Sequence, residues 1–365
     1  MKIIHFTLGL GGGGRERRMI QLIRGLYQSC DCEQMIVTLD EHCDYPELWE
    51  TPIKVKKVDY RPRKTFKSEM EEIIREFKPD ILHSWVGSRQ DLILFPLLKT
   101  KYHFKYIVGH LADCIPLHGL TYLCSRFSYI AADAIVSNSQ AGLYAKKAIL
   151  DKSHVIHNGF DFSRFNEGLD ISNKRKELNI PEEAFVVCMC ARFHQSKDWK
   201  SFVELAKLAQ KEESNMYFLA IGNGETMIDY KTLAQDYGLH NLQFLGRRTD
   251  VEEILQMSDA SILFTNSALH SEGISNSLME AMAAGLPTIA TNGGGTPELI
   301  TNRVNGFLIM DGAYIQALDI LKELQSNRNL YQKIGQAAQK NIQNNFSLSL
   351  MTKQYVDLYS DLLKR

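Results

Sequence analysis

Apolar, strand-like runs alternate with helix-like segments along most of this 365-residue chain. The first run, KIIHFTL at 2–8, is followed by a glycine-rich stretch and a helix with its apolar residues on one face. The alternation starts again at 185–191, FVVCMCA. It predicts parallel sheets covered by helices, because parallel strands need a crossover to return the chain. Since the length exceeds one ordinary core, we expect two doubly wound α/β domains facing each other.

Composition excludes several classes of protein. The chain is 44% hydrophobic and 23% charged, with a net charge of −1, which gives no argument for a nucleic-acid partner. No run of 18 apolar residues occurs, so we expect no transmembrane helix, and the first residues read as a strand rather than a signal peptide. The seven cysteines include no Cys-x-x-Cys pair, which favours free thiols and a reducing cytoplasm.

The most informative segment is 271–300, SEGISNSLMEAMAAGLPTIATNGGGTPELI. Two glutamates, Glu272 and Glu280, flank a loop of small residues, and the helix formers that follow end at Gly285. A short strand and a second glycine loop then lead to another helix start at Thr296-Pro-Glu. Helix N-termini that follow flexible loops favour anions, so we interpret the segment as a binding site for the phosphates of a nucleotide-linked substrate.

Simpler interpretations of single residues stay open. Ser277 and Glu280 have the spacing of a capping box, and Glu272 could be a solvated loop acid. The spacing Gly9-x-Gly11-x-x-Gly14 after the first strand formally matches a dinucleotide fingerprint, although Asp40 lies too far on to be its acid. That match leaves a nicotinamide-dependent enzyme as an alternative.

A phosphate site needs positive charge, and no Asp-x-Asp metal motif occurs in the chain. Arg192 and Lys197 follow the strand at 185–191 and could supply a fork and a point charge without a metal, unless they are merely solvated. His83 and His110 lie near the C-terminal ends of predicted strands, where ligand sites of doubly wound sheets form.

Together these motifs resemble the retaining glycosyltransferases of family 4, the glycosyl transferases group 1, which have the GT-B fold. The resemblance rests on Glu-x7-Glu, AMAAGLP and Gly-Gly-x-x-Glu in 271–300, Gly-Gly-x-Glu-Arg at 13–17, Asn-Gly-x-Asp at 158–161 and Arg-x4-Lys at 192–197. It implies two Rossmann-like domains across a cleft. The acceptor-side domain would span 1–165 plus 348–365, and the donor-binding domain 166–347.

The resemblance also implies roles for individual residues. Catalysis would involve Glu272, His110, Arg192 and Lys197. Donor binding would involve Gly13, Gly14, Arg192, Lys197, Gly222, Arg248, Gly273, Ile274, Ser275, Asn276, Ser277 and Glu280. Glu280 would hold the ribose hydroxyls and Glu272 the transferred sugar, while Arg248 would flank the base and His110 would contact the donor sugar or guide the acceptor. The string Gly-Ile-Ser-Asn-Ser departs from the family's commoner Gly-Phe-Gly-Leu, which leaves the donor sugar open.

The predicted function is metal-independent, cofactor-free transfer of a sugar, with retention, from a nucleotide-sugar (UDP is expected) to a cell-surface glycan or glycolipid precursor. An inactive nucleotide-sugar binding relative is a further alternative. Residues 54–67 carry seven cations and one anion, which indicates either a solvated surface or a patch against anionic lipid. Because the aromatic residues Tyr60 and Phe66 lie in this run, the lipid interpretation stays open, and with it a location at the inner face of the membrane.

Overall fold

A computed structural model describes residues 1–86, 91–165 and 168–365. They form two compact units: unit 1 is Met1–Gly159 with Leu348–Arg365, and unit 2 is Phe160–Ser347. Each unit contains one parallel sheet with apolar cores packed against it. The predicted pair of Rossmann-like α/β domains of the GT-B class is therefore confirmed.

The elements of unit 1 follow the expected alternation. In chain order they are β1 (Lys2–Phe6), α1 (Gly14–Ser29), β2 (Glu33–Thr38), β3 (Lys54–Lys57), α2 (Arg63–Phe77), β4 (Ile81–Ser84), α3 (Asp91–Tyr102), β5 (Lys105–Leu111), α4 (Gly119–Ala131), β6 (Ala134–Ser137), α5 (Gln140–Ala145) and β7 (Ser153–Val155). The strand order is β3-β2-β1-β4-β5-β6-β7. Successive residues face opposite cores: Ile3 packs with one apolar cluster and Ile4 with the other.

Unit 2 repeats the pattern with six strands. Its elements are α6 (Ile171–Glu177), β8 (Phe185–Cys190), α7 (Trp199–Lys211), β9 (Met216–Ile221), α8 (Met227–Asp236), β10 (Leu242–Gly246), α9 (Val251–Met257), β11 (Ala260–Leu263), α10 (Asn276–Ala283), β12 (Thr288–Thr291), α11 (Thr296–Leu299), β13 (Phe307–Ile309), α12 (Tyr314–Ser326) and α13 (Arg328–Asn345). The order β10-β9-β8-β11-β12-β13 places the first strand of the unit in the middle of its sheet.

The last helix, α14 (Leu348–Lys364), returns to unit 1 and packs along α1. Its Tyr355 and Tyr359 are fully buried in the core that also holds Ile3. Among the described residues, no helix combines the length and apolarity needed to cross a membrane.

Two local features differ from the sequence interpretation. Residues 160–165, assigned from sequence to the first domain, lie in unit 2, where Phe160, Phe162 and Phe165 join its core. Residues 166 and 167, which begin the predicted second domain, lie outside the described residues. In the charged run 54–67, Phe66 is 1% exposed and is not available to a membrane, whereas Tyr60 is half-buried and packs edge-on against Phe66 at 4.9 Å.

Candidate functional site

The strand order of unit 2 creates a topological switch point. From β8 the chain first adds β9 and β10 on one side and then crosses to β11, β12 and β13 on the other. The loops that follow β8 and β11 therefore leave the same edge of the sheet and diverge, which forms a ligand crevice in open α/β sheets. We call them the β8 loop (191–198) and the β11 loop (264–275).

Backbone hydrogen bonds join these two loops. The amide of Asp198 donates to the Phe264 carbonyl at 3.0 Å, and the amide of Asn266 donates to the Ser196 carbonyl at 3.0 Å. Lys197 and Thr265 form an antiparallel bridge between them. The position of Lys197 is thus fixed by the backbone rather than left to a mobile loop.

Lys197 and Glu272 form an ion pair at this edge. Both side chains are mostly buried, at 13% and 15% exposed, and His270 Nε2 lies 3.6 Å from the Glu272 carboxylate. Gly294 has φ +55° and lies directly against the Glu272 carbonyl, so closely that a Cβ atom on residue 294 would collide with it. The Gly295 amide donates to that same carbonyl at 2.8 Å. Two residues predicted from distant motifs are therefore in direct contact.

Helix α10 begins beside this pair. Ser275 is its N-cap, and the Ser275 side chain accepts no hydrogen bond from the first turn. Gly273 and Ile274, immediately before it, are buried. Asn276 and Ser277 form the first turn, whose amide dipoles give this end of the helix partial positive charge. The helix ends at Ala284 and Gly285 with φ +80°, as predicted, whereas α11 is capped by Gly295 rather than Thr296.

Arg192 lies differently from Lys197. Its side chain is 73% exposed, and Nη2 is 3.4 Å from Glu225, which follows β9. The backbone amide of Glu225 itself, with Arg192 and His194 nearby, lowers the pKa of the Glu225 carboxyl. Glu225 escaped the sequence interpretation, although it directly follows the Gly222-x-Gly224 motif.

Glu280 is held by an arginine that the sequence did not single out. Arg164 Nη1 donates to Glu280 Oε1 at 3.1 Å, and its other terminal nitrogen pairs with Glu252. Burial opposes the charge of Arg164, yet the two carboxylates raise the pKa of its guanidinium. Arg164 lies in a stretch that the sequence interpretation assigned to the end of the first domain. Its only sequence signal is a cation among three phenylalanines. Since Glu280 points to Arg164, it does not act simply as a capping-box acid.

Gly222 and Arg248 occupy structural positions. Gly222 has φ +137°, and a Cβ there would overlap the Ala191 carbonyl, so only glycine lets the loop after β9 lie against the β8 loop. The guanidinium of Arg248 is bidentate to Asp250, at 2.8 and 2.6 Å, and also reaches Glu177 at 3.3 Å. A nucleobase stacked on Arg248 would contact the flat face of the guanidinium. The hydrogen bonds of the guanidinium lie in its plane and would be kept.

In unit 1 the glycine loop before α1 is held by residues that follow β2. The Gly12 amide donates to Asp44 at 2.6 Å, and the Tyr45 hydroxyl donates to the Gly13 carbonyl at 2.7 Å. Gly13 is the N-cap of α1, and Gly14 is its first residue. Asp44, which follows β2, thus stabilises the glycine loop itself. The spacing of the dinucleotide fingerprint alone did not indicate this role.

His110 is buried at the end of β5 with both ring nitrogens engaged. Nε2 lies 2.7 Å from Asn158 Oδ1, and Nδ1 lies 2.9 Å from the Tyr355 hydroxyl. Since Asn138 also donates to Asn158 Oδ1, this network assigns the proton to Nε2. Burial lowers the pKa of His110 to about 4, so the ring is neutral near pH 7.

A cavity of about 240 Å³ opens beside His110 in unit 1. Its lining combines Trp85 and Tyr129 with a partly buried ion pair in which Lys146 donates to Asp113 at 2.6 Å. Arg15, in the first turn of α1, also faces it. The cavity therefore offers aromatic surface, a positive group and a carboxylate to one small polar ligand.

Comparisons with known proteins identify relatives. Residues 170–341 match the family described as Glycosyl transferases group 1. The chain is 25% identical over 316 residues to N-acetyl-alpha-D-glucosaminyl L-malate synthase of Bacillus anthracis, covering 81% of this chain and 78% of that protein. It is 24% identical over 367 residues to the lipopolysaccharide core biosynthesis glycosyltransferase LpsD of Rhizobium meliloti, covering 98% of each.

Solved structures share the fold. Anabaena Alr3699/HepE in complex with UDP and glucose superposes with a TM-score of 0.85 at 19% identity, over 99% of this chain and 100% of that one.

Proposed function

This chain is a glycosyltransferase whose residues 170–341 belong to the glycosyl transferases group 1 family, and we propose that it transfers a sugar from UDP-sugar, with retention and without a metal ion, to a glycan or lipid-linked acceptor in cell-surface polysaccharide biosynthesis. The observation that carries the proposal is the Lys197–Glu272 pair beside the N-terminus of α10 at the switch point of unit 2. UDP is suggested by the solved relative that contains it.

Charge balance supports a diphosphate at this point. Lys197 is neutralised by Glu272 in the free protein, and an arriving diphosphate would compete for the ammonium group. The α10 amides and the exposed Arg192 supply further donors to the same anion. Lys197 then stabilises the charge that grows on the leaving phosphate as the glycosidic bond breaks. In this scheme the Lys197 ammonium, the Arg192 guanidinium and the dipole of α10 take the place of a metal ion.

Release of Lys197 would free the Glu272 carboxylate for the sugar. A carboxylate accepts hydrogen bonds from ring hydroxyls and stabilises positive charge as the oxocarbenium ion develops. Glu280, held by Arg164, would accept hydrogen bonds from the ribose hydroxyls. In this scheme the leaving phosphate accepts the acceptor's proton on the face from which it departs, and configuration is retained. Burial lowers the pKa of His110 to about 4 and both of its ring nitrogens are engaged, so this histidine is a weak base and the scheme gives the proton to the phosphate.

The cavity of unit 1 is the proposed acceptor site. Its Trp85 and Tyr129 rings suit a sugar face, and the Asp113–Lys146 pair suits hydroxyl groups. We also propose peripheral contact with an anionic membrane at its inner face. For residues 54–67 that contact would rest mainly on cations, since the ring of Phe66 is buried and the half-buried Tyr60 packs against it.

The test is UDP-sugar turnover by Lys197→Ala, measured with EDTA present. We expect transfer or slow donor hydrolysis to fall about a hundredfold, because one charge-assisted contact to the leaving group is lost, while the melting temperature stays near that of the parent. Lys200→Ala, an exposed lysine three residues further on, is the matched control and should keep full activity. Parental activity in Lys197→Ala, or activity that requires Mg²⁺, would refute the metal-free diphosphate site.

A further inference from the structure

Helix α4 turns its apolar face outward and its more polar face towards the interior of unit 1. Its exposed residues are large and apolar: Leu120 58%, Leu123 62%, Phe127 44% and Ile130 61% exposed. The spacing of three, four and three places these side chains on one face. The buried face carries Cys124, Ser125 and Ser128 together with Tyr129. A helix with water as its only neighbour would present the serines outward, so the exposed face indicates another medium.

The neighbouring helix extends this surface. Helix α3 packs against α4, and its Ile93 and Leu97, one turn apart, are 39% and 56% exposed. Ile115, in the loop that leads into α4, is 41% exposed. We call these seven residues the α3–α4 apolar face. Such a concentration is unusual for a protein surface, where single exposed apolar side chains are common but clusters of this kind are not.

Basic groups accompany this face. Residues 91–152 contain seven lysines and arginines against four aspartates. Asp91 is buried, Asp113 and Asp133 are paired with Lys146 and Lys99, and Asp151 is exposed beside Lys152. Three cations of the region contact carbonyls or a ring rather than a carboxylate. Arg126 donates to a backbone carbonyl, Lys147 lies over the Tyr122 ring, and Lys152 donates to the carbonyls at the end of α4.

We propose that the α3–α4 apolar face docks on an anionic lipid bilayer, with its leucine, isoleucine and phenylalanine side chains inserted below the headgroups and Arg126, Lys147 and Lys152 among the lipid phosphates. Apolar insertion and cationic attraction together are the forces that hold interfacial helices on such membranes. A second copy of the chain fits less well, because a two-fold contact through this face would bring the same cations towards each other.

The same helices line the cavity of unit 1. Leu92 of α3 and Ser125 and Tyr129 of α4 contribute to its wall, as does Leu117 just before α4. A bilayer against the exposed face of these helices is therefore separated from the cavity by about one helix diameter, roughly 10 Å. If that cavity holds the acceptor, a point that rests on the proposed function, a lipid-linked acceptor can reach it without leaving the membrane.

Vesicle co-sedimentation of the full chain tests the proposal. Vesicles of equimolar phosphatidylcholine and phosphatidylglycerol should bind the parent, and vesicles of phosphatidylcholine alone should bind it more weakly. Leu123→Glu/Ile130→Glu should weaken binding at least about tenfold, since two inserting side chains are replaced by anions. Ile228→Glu/Ile315→Glu is the matched control: these residues of unit 2 are 66% and 60% exposed, and their replacement should not change binding.

Further measurements separate the possible outcomes. Lys57→Gln/Lys64→Gln in the run 54–67 should weaken binding less than Leu123→Glu/Ile130→Glu does, because it removes two cations and no inserting side chain. If Lys57→Gln/Lys64→Gln weakens binding more than Leu123→Glu/Ile130→Glu, the docking surface is misassigned. Sedimentation velocity that shows a dimer of the parent and a monomer of Leu123→Glu/Ile130→Glu, without vesicle binding by either, would overturn the proposal in favour of a second copy. A thermal shift with UDP should be unchanged in Leu123→Glu/Ile130→Glu, so failure of the docking proposal is distinguishable from failure of the donor site.

Discussion

Replacing Arg164 with methionine tests whether this arginine holds the donor-side carboxylates. The change keeps much of the side-chain length and removes the charge that pairs with Glu252 and Glu280. Removing one partner of a buried ion pair leaves the other charge uncompensated, which costs about 3–5 kcal/mol. The side chains of Arg164, Glu252 and Glu280 are 15%, 15% and 8% exposed, so some solvent screening remains and the lower figure applies.

A loss of about 3 kcal/mol converts to a measurable shift in melting temperature. For a unit of this size, 1 kcal/mol corresponds to about 2–4 °C, so Arg164→Met should melt about 6–12 °C below the parent. Calorimetry is the appropriate assay because it resolves transitions of two units that unfold separately. UDP affinity should fall as well, since Glu280 loses the partner that orients it.

Two companion variants make this prediction specific. Adding Glu252→Gln to Arg164→Met removes one of the uncompensated charges and should recover part of the loss, which a double-mutant cycle measures. Arg303→Met breaks a pair with Glu323 in which the side chains are 55% and 38% exposed, and should cost under about 1 kcal/mol. A shift in Arg164→Met no larger than that in Arg303→Met, or no recovery on adding Glu252→Gln, would refute the buried-charge argument.

Two other perturbations have outcomes that the structure specifies. Gly222→Ala places a methyl group against the Ala191 carbonyl and should lower the free energy of unfolding by more than about 2 kcal/mol. Gly238→Ala, also at positive φ but in open space, should lower it by about 1 kcal/mol. Equal melting temperatures of the two variants would contradict the steric reason. Burial lowers the pKa of His5 and of His110 from 6.5 to about 4, so the unfolded chain takes up protons first as the pH falls. Stability is therefore complete above about pH 6.5 and declines towards pH 4 by about 1.4 kcal/mol per histidine per pH unit. His110→Gln should show a shallower decline in melting temperature than the parent, and an equal slope would argue against a neutral buried ring.

Local patterns were enough to predict most of the elements. The apolar run FVVCMCA at 185–191 corresponds to β8, and the run KIIHFTL at 2–8 contains β1. These signals work because a buried parallel strand and an amphipathic helix each impose a period on consecutive residues. Strand β3 was missed because its sequence, KVKK, carries three charges and only one apolar residue.

The residues of the candidate site fall into two groups: those that the local sequence identifies and those that only the fold brings together. The sequence determined which loops carry chemistry, because glycines, helix starts and the family motifs are properties of short segments; it therefore named Glu272, Lys197 and Glu280. Tertiary structure decided which of these side chains contact one another and which other residues join them. Arg164 reaches Glu280 across 116 positions, and α4 exposes leucines where its sequence alone suggests a buried face. Such contacts depend on how strands are ordered in the sheet and which face of a helix meets it, and neither is encoded in the spacing of neighbouring residues.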